Sequence, residues 1–566
     1  MRRPVNIAYW LDERPPAAVL ATAALQQGAV VLVFSFTAIL LAREVGAPPE
    51  RAADILGLTF LICGATALIQ AFGARFGLGG GYLAPGSGSP IMLGPSLLAA
   101  QAGGMPLVAG MTIFAGVVAA LLARVLYRIR SLLPPEIAGT VALIVGLVVG
   151  LAGLRSLLVT PDGAPPAASA VAVAAVTLAV SGGLSVWARG MLRFACVAIG
   201  MAAGWLLAWL LGLLRADPGL DLGALPLLAL PGPSHAGWAF DPALVPVFAV
   251  AALAHVMKDV GMVTTLQKIN DADWVRPDPR SIAGAVTGGG AALVLAGLVG
   301  AHGTTLSATN VAIQQASGIT SRSVAFGTAA ICLVLACFPR ALAMLSQVPA
   351  PVIAGVLIHA GALMLMNGMA LATTRMLDAR RSLAIGVAVL AALAAEAVPQ
   401  LGLWSPAWLR PLLSATALGA LTALLLNALL RIGIRREVSM AVPAAAIPEA
   451  AVADFAIRAG QSWGARPEVV ARTAELVSWC LDAIIQSGLA RGEVAVTLRF
   501  DEFRLDVLIR YRGAPIPLRD SPPPPESLLE EDGAALLAGH MIRRRADRAA
   551  VRHRDGITEL RLAVDH

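Results

Sequence analysis

Gly79-Gly-Gly-Tyr-Leu-Ala-Pro-Gly-Ser-Gly-Ser-Pro90 and Gly300-Ala-His-Gly-Thr-Thr-Leu-Ser-Ala-Thr-Asn310 interrupt two otherwise apolar stretches of the chain. Proline and clustered glycine break the helix in the first, and Gly300 and Gly303 with a small, polar run interrupt the second. Within a bilayer such backbone is tolerated only where it is buried in protein or lines a cavity. Working outward, a ruler of about 20 apolar residues per spanning helix divides Ala17 to Leu430 into about fourteen segments. They begin near Ala17, Ala52, Tyr82, Leu107, Glu136, Ala168, Leu192, Ala243, Ser281, Thr304, Ser323, Val352, Ser382 and Pro411. The interrupted ones are the third and tenth, seven apart, so the chain reads as two halves of opposite topology. Broken helices at matching places in two halves point to a transporter's central site.

Composition excludes the other broad classes. Of 566 residues, 57% are hydrophobic and 14% charged, and mean hydropathy is +0.76. That is too little charge to cover a soluble protein of this length, and too much apolar surface for a disordered one. The net charge of +7 does not indicate nucleic acid, because the arginines sit in short gaps between apolar runs and in the C-terminal region. Cys63, Cys196, Cys332, Cys337 and Cys480 lack metal spacing and read as small core residues, so neither a metal nor another cofactor is expected. Met1 to Pro16 is polar, and the first apolar run is too long for a cleavable signal, so it reads as an anchor.

Orientation follows from the cations. Gaps after even-numbered segments hold Arg75; Arg124, Arg128 and Arg130; Arg189 and Arg193; Lys268, Arg276 and Arg280; Arg322; and Arg375, Arg380 and Arg381. Gaps after odd-numbered segments hold fewer: Arg43, Arg51, Arg155, Arg215, Arg340 and Arg410. Both termini are therefore expected in the cytoplasm. The Pro- and Gly-rich stretch from Asp217 to Asp241 is expected outside. The expected location is a bacterial inner membrane, with the chain crossing it many times.

Beyond Arg435 and Arg436 the composition becomes that of a soluble domain. The expected organisation is an N-terminal cytoplasmic tail (1–16), a transmembrane domain (17–432), a linker (433–448) and a small cytoplasmic α+β domain (449–566). Helical periodicity runs from Glu468 to Gln486 and from Gly533 to Arg544. Alternation marks strands over Glu493 to Phe500, Arg504 to Tyr511 and Thr558 to Val564, with Pro522 to Pro525 between.

The run Ala308-Thr-Asn-Val-Ala-Ile-Gln-Gln-Ala-Ser-Gly-Ile-Thr-Ser-Arg322 resembles the signature of the nucleobase–ascorbate transporter family, the uracil and xanthine permeases. Asn310 and Gly318 match it. Thr309 stands where the family has Glu or Gln, Ala312 for a Gly, and Ser317 for a Thr. Phe338-Pro-Arg340, Val348-Pro-Ala-Pro-Val-Ile-Ala-Gly355 and Leu25-Gln26-Gln27 also resemble family patterns. The resemblance covers most of Ala17 to Leu430. It implies an all-α polytopic fold of 14 helices in a 7+7 inverted repeat, with core and gate domains and a homodimer through the gate. Substrate would lie between segments one and eight, against the broken third and tenth. The sulfate permeases share that architecture and select small anions, which leaves an anion transporter as the alternative. A membrane sensor signalling through the C-terminal domain is a second alternative.

Segment eight reads Ala254-His255-Val-Met-Lys258-Asp259-Val-Gly261-Met262. Aligned on Gly261, Lys258 takes the position of the family's substrate-binding carboxylate. An ionisable residue at mid-membrane is functional by default. The chain has two lysines, Lys258 and Lys268, against about forty arginines, so a readily deprotonated cation has been set within the bilayer. Helical spacing groups His255, Lys258 and Met262 on one face, with Asp259 about 100° round. Asp259 is expected to hold the lysine's charge when the site is empty. Gln27, Ser89, Ser307, Thr309 and Asn310 complete the expected substrate-binding set, with Ser87 close to it. His302 and His359 read as packed residues, and Glu396 as a solvated one.

These residues predict a proton-coupled secondary transporter of a purine such as xanthine or urate, and nothing in them suggests catalysis. The C-terminal domain resembles the GHKL-type ATPase domain of anti-sigma-factor kinases in Glu475-Leu-Val-Ser-Trp479, Tyr511-Arg-Gly513, Gly533-Ala-Ala-Leu-Leu-Ala-Gly539 and Gly556-Ile-Thr-Glu-Leu-Arg-Leu562. The family's Mg²⁺-binding Asn is replaced by Trp479 and its adenine-binding Asp by Tyr511. A regulatory module contacting a cytoplasmic protein is therefore expected, rather than a kinase.

Overall fold

The structure, a computed structural model, describes the chain except for residues 130–134, 160–164, 190, 214–224, 236, 275–276, 374–376, 399, 401–403, 407–408, 431, 433–436, 444–448, 501–503, 520, 525–532 and 566. Arg130, Arg215, Arg276, Arg375, Arg435 and Arg436 of the charge count, much of the Asp217–Asp241 stretch, and Pro525 lie outside the described residues. Two compact units result, Met1–Ala372 with Ile385–Leu425, and Thr373–Ala384 with Leu426–His566.

The first unit is helical. Its elements in order are α1 (Ala17–Val33), α2 (Phe36–Glu44), α3 (Pro49–Phe72), β1 (Gly86–Gly88), α4 (Pro90–Ile129), α5 (Pro135–Leu158), α6 (Ala168–Trp187), α7 (Met191–Phe194) and α8 (Cys196–Leu210). There follow α9 (Val245–Asn270), α10 (Pro279–Val299), β2 (Thr304–Leu306), α11 (Ala308–Ser317), α12 (Val324–Ala336), α13 (Pro339–Ser346), α14 (Ala350–Ala372), α15 (Ala379–Ala397) and α16 (Ala415–Leu430).

Among the described residues eight helical stretches are long and apolar enough to cross a bilayer, or nine if the pair α12 and α13, bent by 79°, is one span. The helices do not map one to one onto fourteen spans. The first expected span is two helices in series, broken near Ser35. The third and fourth merge in α4, which kinks where Gly103 and Gly104 leave helical geometry. The eleventh breaks before Pro339.

Small residues set the helix contacts, as expected in a membrane protein. A methyl on Gly146 of α5 would lie 2.4 Å from the Leu365 nitrogen of α14, and one on Gly368 would lie 2.3 Å from the Leu143 nitrogen. Those two helices touch backbone to backbone. Glu396, read as solvated, instead forms an ion pair with Arg155 of α5. Both lie near helix ends, and the Arg155 side chain is half exposed.

In the second unit, the stretch read as a linker contains a strand, β3 (Glu437–Pro443), whose Val438, Met440 and Val442 alternate with Glu437, Ser439 and Ala441. The unit continues with α17 (Glu449–Trp463), α18 (Pro467–Gln486), β4 (Ala490–Phe500), β5 (Arg504–Gly513), α19 (Gly533–Arg545), β6 (Arg548–Arg554) and β7 (Ile557–Asp565). Five antiparallel strands run in the order β3-β4-β5-β7-β6. Their apolar positions, including Val496, Leu498, Val507 and Ile509, form one core with the buried faces of α17, α18 and α19. Strands β3 and β6 and helix α17 are additions to the sequence reading.

Candidate functional site

The two interrupted stretches meet. β1 and β2 pair antiparallel, with Gly86 opposite Leu306, Ser87 opposite Thr305 and Gly88 opposite Thr304. The ladder extends symmetrically: Ser89 N–H donates to Gly303 O (2.9 Å) and Ser307 N–H to Pro85 O (3.3 Å). Each strand then turns into a helix capped by a serine. Ser89 Oγ accepts from Met92 N and Ser307 Oγ from Asn310 N, both at 3.3 Å. Ser89 and Ser307, expected to contact substrate, thus serve as N-caps, because each precedes a helix whose first N–H groups need an acceptor. The two helix N-termini carry partial positive charge to this crossing. Glycine is needed at 88, where a methyl would lie 2.3 Å from Thr37 Oγ1 and 2.6 Å from Phe34 O.

Helix α9 packs along β2 and supplies the charged groups. Lys258 Nζ donates to Thr305 Oγ1 (3.4 Å), and the threonine hydroxyl donates to Asp259 Oδ1 (3.4 Å). The other carboxylate oxygen of Asp259 stands 3.2 Å from His255 Nε2, and both side chains are fully buried. His255, Lys258 and Met262 stand on α9 at helical spacing, but they differ in burial and in partners. His255 and Asp259, four residues apart, stack on one face against α10, while Lys258 and Met262 stay partly exposed. Asp259 therefore stands beside His255, and its hydrogen-bonded link to the lysine runs through Thr305. Adjacent residues on a helix point about 100° apart, which disfavours the direct Lys258–Asp259 pair. Room for the His–Asp pair comes from Gly289 of α10, where a methyl would lie 2.5 Å from Asp259 Oδ2 and 3.0 Å from His255 Nε2.

Of the remaining expected residues, Gln27 of α1 and Asn310 of α11 are buried. Gln27 Oε1 and both Asn310 amide atoms have no hydrogen-bond partner within the protein. Buried amides are rarely left so, and an unmet one costs about 1–3 kcal/mol, which makes them candidates for ligand contact. They lie on packed elements: α1 touches α11 and β1, and α11 touches α9. Thr309 is half-buried beside Asn310. His302 Nε2 donates to Ser89 O (3.0 Å), a packing role. Thr305 and Gly289 were not singled out from the sequence. The signal for each was present, in a hydroxyl run within the broken tenth segment and in the triple glycine 288–290.

In the C-terminal unit, Trp479 carries the Arg545 guanidinium over its ring at 5.7 Å. The neighbouring cleft, about 240 Å³, is lined by Arg472, Glu475, Leu476, Arg544 and Arg545. Tyr511 is buried, its hydroxyl donating to Ala514 O (3.0 Å). Burial also raises the Tyr511 pKa above its ordinary value. Neither residue offers the carboxylate or amide oxygen that a Mg²⁺–nucleotide would require.

Broken, mutually paired segments capped toward a buried polar crossing, in a bundle of apolar helices, define a polytopic membrane transporter. Residues 20–401 match the Xan_ur_permease model, described as the permease family, and the chain belongs to that family. It is 25% identical over 440 residues to the xanthine permease XanP of Escherichia coli K12, covering 75% of this chain and 94% of the relative. It is 24% identical over 424 residues to the uric acid permease PucJ of Bacillus subtilis 168, covering 71% and 90%. The fold is similar to that of the murine Slc26a9 anion transporter in its inward-facing state, with TM-score 0.50, 10% identity, and 76% of this chain and 71% of the other covered. That last likeness is one of fold alone. The relatives are permeases, not enzymes.

Proposed function

We propose that this protein is a proton-coupled secondary transporter of a purine of the xanthine or urate kind. The observation that carries this reading is the chain Lys258–Thr305–Asp259–His255 at the crossing of the two half-helices. Lys258 is a donor-only group and the helix N-termini favour negative charge, which suits an acceptor-rich or anionic purine. Gln27 and Asn310 supply amides for its edges. The buried Asp259–His255 pair offers a place for the coupling proton. The names of the relatives, xanthine and uric acid permeases, support the same substrate class. With it go fourteen spans in a 7+7 inverted repeat with core and gate domains, both termini cytoplasmic in a bacterial inner membrane, and a homodimer. The donor-only lysine equally favours a small organic or inorganic anion as the second reading.

Proteoliposome counterflow decides between them. Labelled xanthine should exchange against internal xanthine or urate, and an inward proton gradient should drive its accumulation. Exchange supported by sulfate or bicarbonate but not by purines would transfer the assignment to the anion reading. Saturable xanthine binding with no exchange would make the protein a sensor.

The domain 449–566, following the linker of 433–448 and the transmembrane domain of 17–432, is proposed as a regulatory module for a cytoplasmic protein partner. The Trp479–Arg545 stack and the committed Tyr511 hydroxyl support a site closed to Mg²⁺–ATP. Isothermal titration of the full-length protein with Mg²⁺–ATP should show no binding at micromolar concentrations. Stoichiometric binding there, lost on mutation of Glu475, would overturn this assignment.

A further inference from the structure

The first residues, polar and read as a tail, lie across the ends of the site-bearing helices. Ala8 and Tyr9 N–H groups both donate to Gly318 O (2.8 and 3.1 Å), and Tyr9 O and Leu11 O accept from Thr320 N (2.9 Å) and Arg322 N (2.8 Å). Tyr9 and Ile319 thereby form a parallel β-bridge. On the other side Arg2 N donates to Asp271 Oδ1 (2.7 Å) and Trp10 Nε1 to Asn270 O (3.0 Å), at the end of α9. Leu11 is buried in the apolar cluster that holds Val263 and Leu266 of α9 and Val311 of α11. Arg322 fixes the corner, donating to Asp12 Oδ1 and to Gly81 O, each at 2.6 Å. Gly318 has φ +68°, and a methyl there would lie 2.6 Å from Asn6 O.

We propose that Met1–Asp12 is a clamp joining the end of α9 to the α11–α12 corner, and that Gly318 and Arg322 are positioning residues for transport. Lys258 stands on α9, and Thr305 and Asn310 stand on β2 and α11. The hydrogen bond from Lys258 to Thr305, already 3.4 Å long, tolerates little further separation of those elements. A segment pinned by hydrogen bonds to both ends fixes that separation. The far half of the run Ala308–Arg322 is thus used to seat the N-terminus, and only its near half faces the crossing. The clamp rests on the transport reading above, and its test includes a readout that does not.

The Tyr9→Cys/Ile319→Cys pair, in a Cys337→Ser background, places two thiols at the bridge positions. Xanthine uptake is measured in proteoliposomes with and without Arg322→Gln, oxidised and then reduced. Arg322→Gln should lower uptake about tenfold under reduction, since sites tolerate only about 0.5 Å of misplacement. Oxidation should restore it to within about twofold of the parent. The second readout is maleimide labelling of Thr305→Cys in the same chains, quantified by peptide mass without substrate. It should rise at least about threefold with Arg322→Gln and fall again on oxidation. Loss of uptake on oxidising the Arg322 parent would show that the segment must move, and would overturn the clamp. So would uptake or labelling unaffected by Arg322→Gln or by its oxidation. A parent that exchanges no xanthine, while the labelling still follows oxidation, would sink the substrate assignment and leave the clamp standing.

Discussion

Xanthine uptake should fall below detection when Lys258 is replaced by glutamate, while the protein still inserts and purifies as a dispersed species. The substitution exchanges the donor-only ammonium at the crossing for a carboxylate, adjacent in sequence to Asp259. Two anions would then share Thr305, which has a single proton to donate. Lys258→Gln is the sharper test, because an amide of similar length keeps a hydrogen bond to Thr305 and removes only the charge. A charge-assisted hydrogen bond contributes about 1.5–3 kcal/mol, so uptake should drop about 10- to 100-fold. Lys258→Arg restores charge but presents a rigid planar fork in place of a compact ammonium, and should recover only part of the loss. Expression and thermal stability without substrate should change little in Lys258→Gln, since the amide keeps the hydrogen bond to Thr305 and fills a similar volume. Wild-type uptake in that variant would reduce the lysine to a structural partner of Thr305, and the acceptor-rich substrate would lose its main support.

The broken third and tenth segments were legible because proline and glycine act on the backbone locally, and locality is what a sequence displays. Lys258 was legible for another reason: a chain that otherwise uses arginine places one of its two lysines in an apolar segment. What Lys258 pairs with was not. Asp259 is its neighbour along the chain, yet the carboxylate turns to His255 one helical turn back, because α10 leaves a gap at Gly289 on that side. The capping role of Ser89 and Ser307 was not legible, since a hydroxyl at a helix start suits a cap and a ligand contact alike. Met1–Asp12 looked like a tail because several of its contacts are backbone hydrogen bonds, which side-chain composition does not encode. Strand β3 carries a clear alternation over Glu437–Pro443, but the flanking Pro- and Ala-rich run masked it. Fold class and the crossing are thus local properties, whereas the wiring of the site depends on which helix lies behind it.

A methyl group at Gly289 should be enough to disable transport without unfolding the protein. In Gly289→Ala it would lie 2.5 Å from Asp259 Oδ2, well inside contact distance, and 3.0 Å from His255 Nε2. The aspartate is the shorter and more easily displaced group. Turning it away breaks its approach to His255 at 3.2 Å and its 3.4 Å bond from Thr305 together. A carboxylate left without a partner in that fully buried position costs about 3–5 kcal/mol, so it would turn to another contact or α10 would shift outward. Either result uncouples Thr305 from Asp259, and uptake should fall at least about tenfold with proton-driven accumulation lost. Gly182→Ala, where a methyl meets nothing within 4 Å, is the matched control and should transport normally. A double-mutant cycle with Asp259→Asn identifies the route. If Gly289 acts by seating Asp259, then adding Gly289→Ala to Asp259→Asn should cost little more than Asp259→Asn alone. Full additivity would mean that the glycine matters only for how closely α9 and α10 pack. The buried His255–Asp259 pair would then lose its claim to the coupling proton.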